Sequence, residues 1–325
     1  MLSVLPLLAE ELIVGNPLPL VLRPEAGTPS HSDNLARLVA ERKDLLYSEL
    51  YVHGGLLFRG FDVADEGDFQ RVARAFLGEL KPYIEGQSPR TKVGDNVYTS
   101  TEFPAQFRVT LHNELSYTRN PPPWILFYCH TPATVRGETP ILDCRRAYEQ
   151  MPADIRERFE SLGVRYVKHM HGSSLGMGKS WKDHFETSDV GTVESYLAAN
   201  DIQWEWLEDG TLRTIARRPG VIRHPVTGET HWFNQANLFH VSNFEPRHRE
   251  RLLRLFGEDR LPTHAYYGDG SKISDEEIEV VRNVLWNESV FFPWEHGDVL
   301  ILDNYLTAHG RNSYEGPRRI LVAMG

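Results

Sequence analysis

The chain has 325 residues, 41% hydrophobic and 25% charged, with a formal net charge of −10. That composition suits a globular protein with a sizeable core, and its acidic balance argues against sequence-independent nucleic-acid binding, which needs a basic footprint. No apolar run approaches the ~18 residues of a membrane helix, and two cysteines cannot build a disulfide framework for a chain this long.

The first fifteen residues, MLSVLPLLAEELIVG, lack a basic leading segment and carry Glu10 and Glu11 inside the apolar stretch, so no signal peptide is read and a cytoplasmic location is expected. Residues 32–48 space Leu35, Leu38, Val39 and Leu45 near the helical period, with Ser32 and Asp33 as caps. GGLLFRGF, 54–61, reads as a short strand. Residues 65–80 read as a helix with Phe69, Val72, Phe76 and Leu80 on one face.

From about residue 94 the character changes to short β-type runs separated by Gly, Pro and Asn turns, among them FRVTLHNELSY, WILFYCHTP, TPILD, HWFNQA and RRILVAMG. Helical pieces interrupt them at 144–163, 243–257 and 274–289, the last opening on Ser274 three residues before Glu277, a capping box. Strands in bulk with helices between them predict a mainly β, α+β protein with a β-barrel or sandwich core and helical decoration. One domain is expected over 1–325, with a helical N-terminal region to about 90 and helical inserts at about 144–215 and 243–289. No strand leads into a glycine-rich helix start, so neither a P-loop nor a dinucleotide fingerprint is present.

In VTLHNELSYTRNPPP, 109–123, His112 and Glu114 stand two apart in an alternating run, which would turn both side chains to one face of a strand. Alone, the pair is a weak signal, since a satisfied surface couple would explain it. A third ligand is available far downstream, where His309 follows the strand-like GDVLILDN. Two histidines and a carboxylate on one face of an octahedron leave positions open on non-haem Fe(II). His169 and His171 offer no carboxylate beside them, and His224, His231 and His240 are not read as ligands. Asp298 and Asp303 read as turn residues.

LHNELSY, RGETPILD and HGRNSYEGPRRILVAM together resemble the iron(II)/2-oxoglutarate-dependent dioxygenases of the TauD/TfdA superfamily, and within it the SyrP-like hydroxylases of natural-product pathways. The likeness runs from roughly residue 50 to the C-terminus. It implies a double-stranded β-helix, or jelly-roll, core, with His112, Glu114 and His309 as metal ligands and Thr139, at the threonine of the family's GGDT-type element, as a co-substrate contact. Arg136 stands where that element has its first glycine. An arginine about ten residues after the distal histidine holds the far carboxylate of 2-oxoglutarate; here the choice is Arg318 or Arg319, and Arg319 is preferred. A guanidinium fork suits that role because it pairs two parallel donors with a carboxylate. In related halogenases a small residue replaces the carboxylate ligand, so Glu114 implies hydroxylation rather than chlorination.

The expected activity is therefore hydroxylation of an unactivated C–H of a small amino-acid-like substrate, free or tethered to a peptidyl carrier protein. Fe(II), 2-oxoglutarate and dioxygen are required, and the co-substrate is decarboxylated to succinate. Epoxidation or desaturation belongs to the same class; a zinc hydrolase or a non-catalytic jelly-roll binding module would use the triad differently. Asn234, Gln235 and Asn237 lie among aromatic residues, where such amides satisfy loop backbone as readily as they read a substrate; the resemblance tilts Asn234 and Gln235, with Ser116, towards lining the substrate pocket. Basic clusters at 217–224 and 247–256 offer docking for an acidic carrier, although solvated faces explain them as well. Nothing in the sequence fixes the oligomeric state.

Overall fold

Two β-sheets face one another across the core that carries the site. In the computed structural model, which describes residues 7–86, 88, 90–172 and 179–325, the larger sheet runs in the order Leu7–Ile13, Asn16–Pro24, Gly55–Phe58, Val299–Asp303, Trp124–Thr131, Arg319–Met324, Tyr98–Thr99. Its neighbours are antiparallel except Asn16–Pro24 beside Gly55–Phe58, which are parallel. The second sheet is short: Val109–His112, Thr307–Arg311 and Ile141–Asp143, with the strand of His309 in the centre.

Strands buried on both faces read as continuous apolar runs because neither set of alternating side chains meets water. WILFYCHT is such a strand. Its Ile125, Phe127 and Cys129 join Leu300, Leu302, Ile320 and Val322 and, from the second sheet, Ile141 in the core between the sheets. Leu126 and Tyr128 face the other way, with Val299, Ile301 and Leu321, against the N-terminal helices. Each large apolar side chain so buried contributes roughly 1.5–3 kcal/mol, and the two layers clamp the central strands from both sides.

The jelly-roll core with helical additions thus matches the α+β expectation. Local differences have physical causes. The helix expected over 32–48 breaks at Arg42 (φ −118°) into Ser32–Glu41 and Lys43–His53, and its N-cap is His31, which makes no side-chain cap bond, rather than Ser32 or Asp33. The helix Glu66–Leu77 is capped by Asp65, whose carboxylate accepts from Asp68 N at 2.9 Å. The capping box before Asp275–Asn287 forms in both directions, Glu277 N to Ser274 Oγ at 3.1 Å and Ser274 N to Glu277 Oε2 at 2.8 Å.

The stretch to about residue 90, expected to be helical, holds three helices, yet its described part opens on the hairpin Leu7–Ile13/Asn16–Pro24. The inserts also contribute strands: Ile202–Trp206, Leu212–Arg218, Val164–Met170 and Thr263–Tyr267 form a separate four-stranded sheet. Its Tyr166 packs in one cluster with Tyr117, Trp232 and Phe239. Among the described residues no helix is long and apolar enough to cross a membrane.

Candidate metal and co-substrate site

His309 and His112 are register partners across the second sheet, and their ring centroids lie 4.6 Å apart. The pairing depends on Gly310, where a Cβ would meet Val109 O at 2.6 Å, a contact that real Cβ atoms do not make. Phe127, from the facing sheet, covers the His309 ring edge-on at 5.0 Å. The strand ends at His112, so Glu114 does not share its face by alternation as the sequence suggested; it lies in the turn beyond. Asn304 holds that turn: its side chain accepts from Glu114 N at 2.7 Å and donates to Glu114 O at 3.0 Å, while its carbonyl accepts from Asn113 Nδ2 at 2.8 Å.

The result is convergence. Ligand atoms of His112, Glu114 and His309 all lie within 4.8 Å of one another, and all three residues are buried. His112 Nδ1 donates to Thr110 O at 2.8 Å, which fixes its tautomer and leaves Nε2 free to coordinate. Burial, reinforced by the nearby His309, pushes the His112 imidazole down to about 4, so it is neutral at physiological pH. Burial alone would raise the Glu114 carboxyl, but Arg90 and the two imidazoles outweigh it and hold the group well below the usual carboxylate range. Neutral imidazoles and an ionised carboxylate are the protonation states that bind a metal.

Arg90 gave no signal in the sequence. Its Nη2 donates to Glu114 Oε2 at 2.6 Å, its guanidinium stacks 4.1 Å over the Tyr83 ring, and its Nε and Nη1 have no partner among the described residues. A lone arginine in a loop carries no motif.

Beside the triad, a cavity is lined by Arg90, His112, Thr139, His309, Arg311 and Arg318, among others. Thr139 is buried, and its hydroxyl accepts from Trp294 Nε1 at 3.1 Å and Arg318 Nη2 at 3.2 Å. Arg318 also donates through Nε to Gly137 O at 2.8 Å and has no carboxylate partner among the described residues. Burial, then the neighbouring Arg311, lowers its guanidinium to about 10. The preference for Arg319 is corrected: Arg319 turns outward into an ion pair with Glu66, and Arg318 is the arginine at the cavity. Alternation made the two exclusive, but the ladder shifts register between Arg319 and Ile320, so counting along the strand could not say which faced inward. Arg136, in place of the glycine, adopts φ 56°, the left-handed region glycine favours, so the loop keeps its course.

The amide cluster is also corrected. Asn234 and Gln235 do not line this cavity. Asn234 Nδ2 donates to Gly220 O at 2.8 Å, Gln235 Nε2 to Asn113 O at 2.6 Å, and Asn237 Nδ2 to Leu111 O at 2.9 Å. The last two brace the backbone on either side of His112 from behind. Ser116 is buried with a free hydroxyl and is likewise not part of the lining. Asp303 accepts from Tyr305 N and Leu306 N, the expected turn role, and also pairs with His224 at 3.0 Å; Asp298 forms a buried pair with Arg59 and accepts from Glu295 N.

Comparison with known proteins agrees with this geometry. The family described as taurine catabolism dioxygenase TauD, TfdA family, matches residues 19–324. The chain is 38% identical over 315 residues, 91% of its length and 95% of the relative's, to the dapdiamide synthesis protein DdaC of Enterobacter agglomerans. It is 29% identical over 339 residues, 98% and 99% of the two chains, to the clavaminate synthase-like protein At3g21360 of Arabidopsis thaliana. Among solved structures, PvcB, described as an Fe, alpha-ketoglutarate dependent oxygenase from an isonitrile synthetic pathway, superposes with a TM-score of 0.56 at 20% identity, covering all of this chain and 93% of that one. A taurine dioxygenase from Burkholderia xenovorans gives 0.53 at 18% identity, covering 98% and 90%.

Proposed function

The chain belongs to the TauD/TfdA family of iron(II)/2-oxoglutarate-dependent dioxygenases, and from that premise we propose that it hydroxylates an unactivated C–H of a small amino-acid-derived molecule, with 2-oxoglutarate decarboxylated to succinate. The observation that carries this reading is the juxtaposition of a buried His112–Glu114–His309 triad with Arg318, a half-buried guanidinium that has no anionic partner among the described residues and lines the same cavity.

The residues fit a ferrous ion. Two imidazole nitrogens and one carboxylate oxygen would hold it on one face, leaving the opposite side for co-substrate and dioxygen. When bound, the metal supplies the oxidising chemistry that a protein side chain cannot. The chain supplies binding and orientation: the Arg318 fork would take the distal carboxylate of 2-oxoglutarate, with Thr139 as a hydroxyl contact already joined to Arg318. Phe127 and the strands behind it exclude water from the His309 side. Asn304, Gln235 and Asn237 hold the ligand-bearing backbone in place.

DdaC is a dapdiamide synthesis protein, which supports natural-product biosynthesis as the setting and leaves epoxidation or desaturation as variants on the same site. A zinc hydrolase or a binding module would give Thr139 and Arg318 no purpose. Anaerobic addition of Fe(II) and 2-oxoglutarate should produce a weak visible charge-transfer band, and succinate should follow on admitting oxygen with substrate from a panel of free amino acids and carrier-bound aminoacyl thioesters. Absence of both the band and the succinate defeats the reading.

A further inference from the structure

Outside the triad, Lys168 is a charged residue that its surroundings leave unsatisfied. It lies mid-strand in Val164–Met170, opposite Thr214 on one neighbour and Thr263 on the other, and only 7% of its surface is exposed. Its ammonium sits 4.6 Å from the centre of the Tyr117 ring and 5.7 Å from that of Phe239. It has no hydrogen bond or ion pair to any described residue. Ring faces attract a cation, but they do not satisfy three strong N–H donors.

The neighbourhood adds charge of the same sign. Lys179 and Arg218 lie within electrostatic reach. Lys179 Nζ donates to Gly86 O at 3.3 Å, and Arg218 donates to the carbonyls of Asn200, Asp201 and Arg217; neither makes an ion pair with a carboxylate among the described residues. Glu85 is the one acid whose charge favours protonated Lys168, and its Oε1 accepts from Tyr196 OH. Three basic side chains therefore gather here against the carboxylates of Glu85 and, at Arg218, Asp201.

The cluster borders the metal site. Tyr117 is three residues past Glu114 and within electrostatic reach of Glu114 and Arg90, and its hydroxyl donates to Glu85 O at 2.7 Å. We propose that this cluster is the subsite for a free carboxylate of the substrate, with Lys168 as its anchor and Tyr117 and Phe239 packing against the adjoining carbon. The inference rests on the oxygenase reading above and narrows its substrate class: a molecule joined to a carrier through that carboxylate, as a thioester, lacks the charge that the subsite is built to receive.

The test is direct binding to the metal-free full-length protein, by calorimetry and thermal shift. The probes are L-amino acids and their N-acetyl derivatives, each as free acid, methyl ester and N-acetylcysteamine thioester. At least one acid should bind ten-fold or more tightly than both of its uncharged forms. Lys168→Met should erase that discrimination and Lys168→Arg retain part of it. If no acid outperforms its ester and thioester in the wild-type protein, the subsite is wrong, a result that does not depend on either variant folding. Retained discrimination in a folded Lys168→Met protein is equally fatal. Succinate release by the iron-loaded enzyme, run in parallel, separates the two ideas. Binding of acids without any release overturns the oxygenase reading alone, whereas equal release from acid and thioester overturns the subsite alone.

Discussion

Arg90 Nη2 and Glu114 Oε2 are 2.6 Å apart, and both side chains are more than nine-tenths buried, so the acid of the metal triad is held ionised by a cation from a distant loop. Without Arg90, burial would draw a proton onto Glu114. Arg90→Met should therefore weaken Mn(II) binding by ten-fold or more near pH 6, with less effect at pH 8. Titration followed by electron paramagnetic resonance measures this; tighter binding in the variant would mean that Arg90 competes with the ion.

Each ligand is needed. His112→Ala, Glu114→Ala and His309→Ala should each abolish succinate release, because two remaining donors hold a ferrous ion poorly. A Glu114→Ala enzyme with full activity would remove the carboxylate from the ligand set.

The adjacent arginines should behave oppositely. Arg318→Ala should raise the 2-oxoglutarate KM at least ten-fold, since the fork at the cavity is lost. Arg319→Ala should leave it unchanged and alter stability by less than about 1 kcal/mol, as expected for a partly exposed, solvent-screened ion pair with Glu66. Steady-state kinetics over co-substrate concentration decides between them, and the reverse pattern rejects the assignment.

Acid should destabilise the fold before the usual carboxylate range is reached. Burial lowers His231 to about 4 and, with help from His240, His264 to about 3. Between their unfolded value of about 6.5 and these folded values, the unfolded chain binds more protons, so stability falls as pH falls; each group contributes up to about 1.4 kcal/mol per pH unit. Urea midpoints measured at pH 7.5, 6 and 5 should drop progressively, and His231→Gln should flatten the slope.

Gly310→Ala tests the pairing that sets the two histidines opposite one another. Its new Cβ would press on Val109 O and Leu111, so the strands must part. Reduced Mn(II) affinity with a lower melting temperature is expected, and an unaffected variant would show that the sheet yields there without cost.

Several parts of this site were legible in the sequence because they are local. The capping box at Ser274 and Glu277, the helical face of Phe69, Val72 and Phe76, and the three ligand types could be read from spacing or resemblance. What escaped depends on packing between distant segments. Arg90 carries no motif, and its role exists only because its loop folds against Glu114. Asn304 looks like any turn asparagine until the 113–114 backbone docks on it. Asn234 and Gln235 resembled pocket residues because buried amides need partners, and sequence alone does not say whether those partners are a ligand or the chain's own carbonyls. The inward arginine was hidden by a register shift that no residue pattern announces.

His112 and Glu114 come from one strand and its turn, whereas His309 arrives on a partner strand separated from them by most of the chain. During synthesis, therefore, an incomplete polypeptide owns no ferrous-binding pocket, and loading must await closure of the second sheet. Metal content would then report on correctly finished molecules, since the triad is complete only once the second sheet has closed.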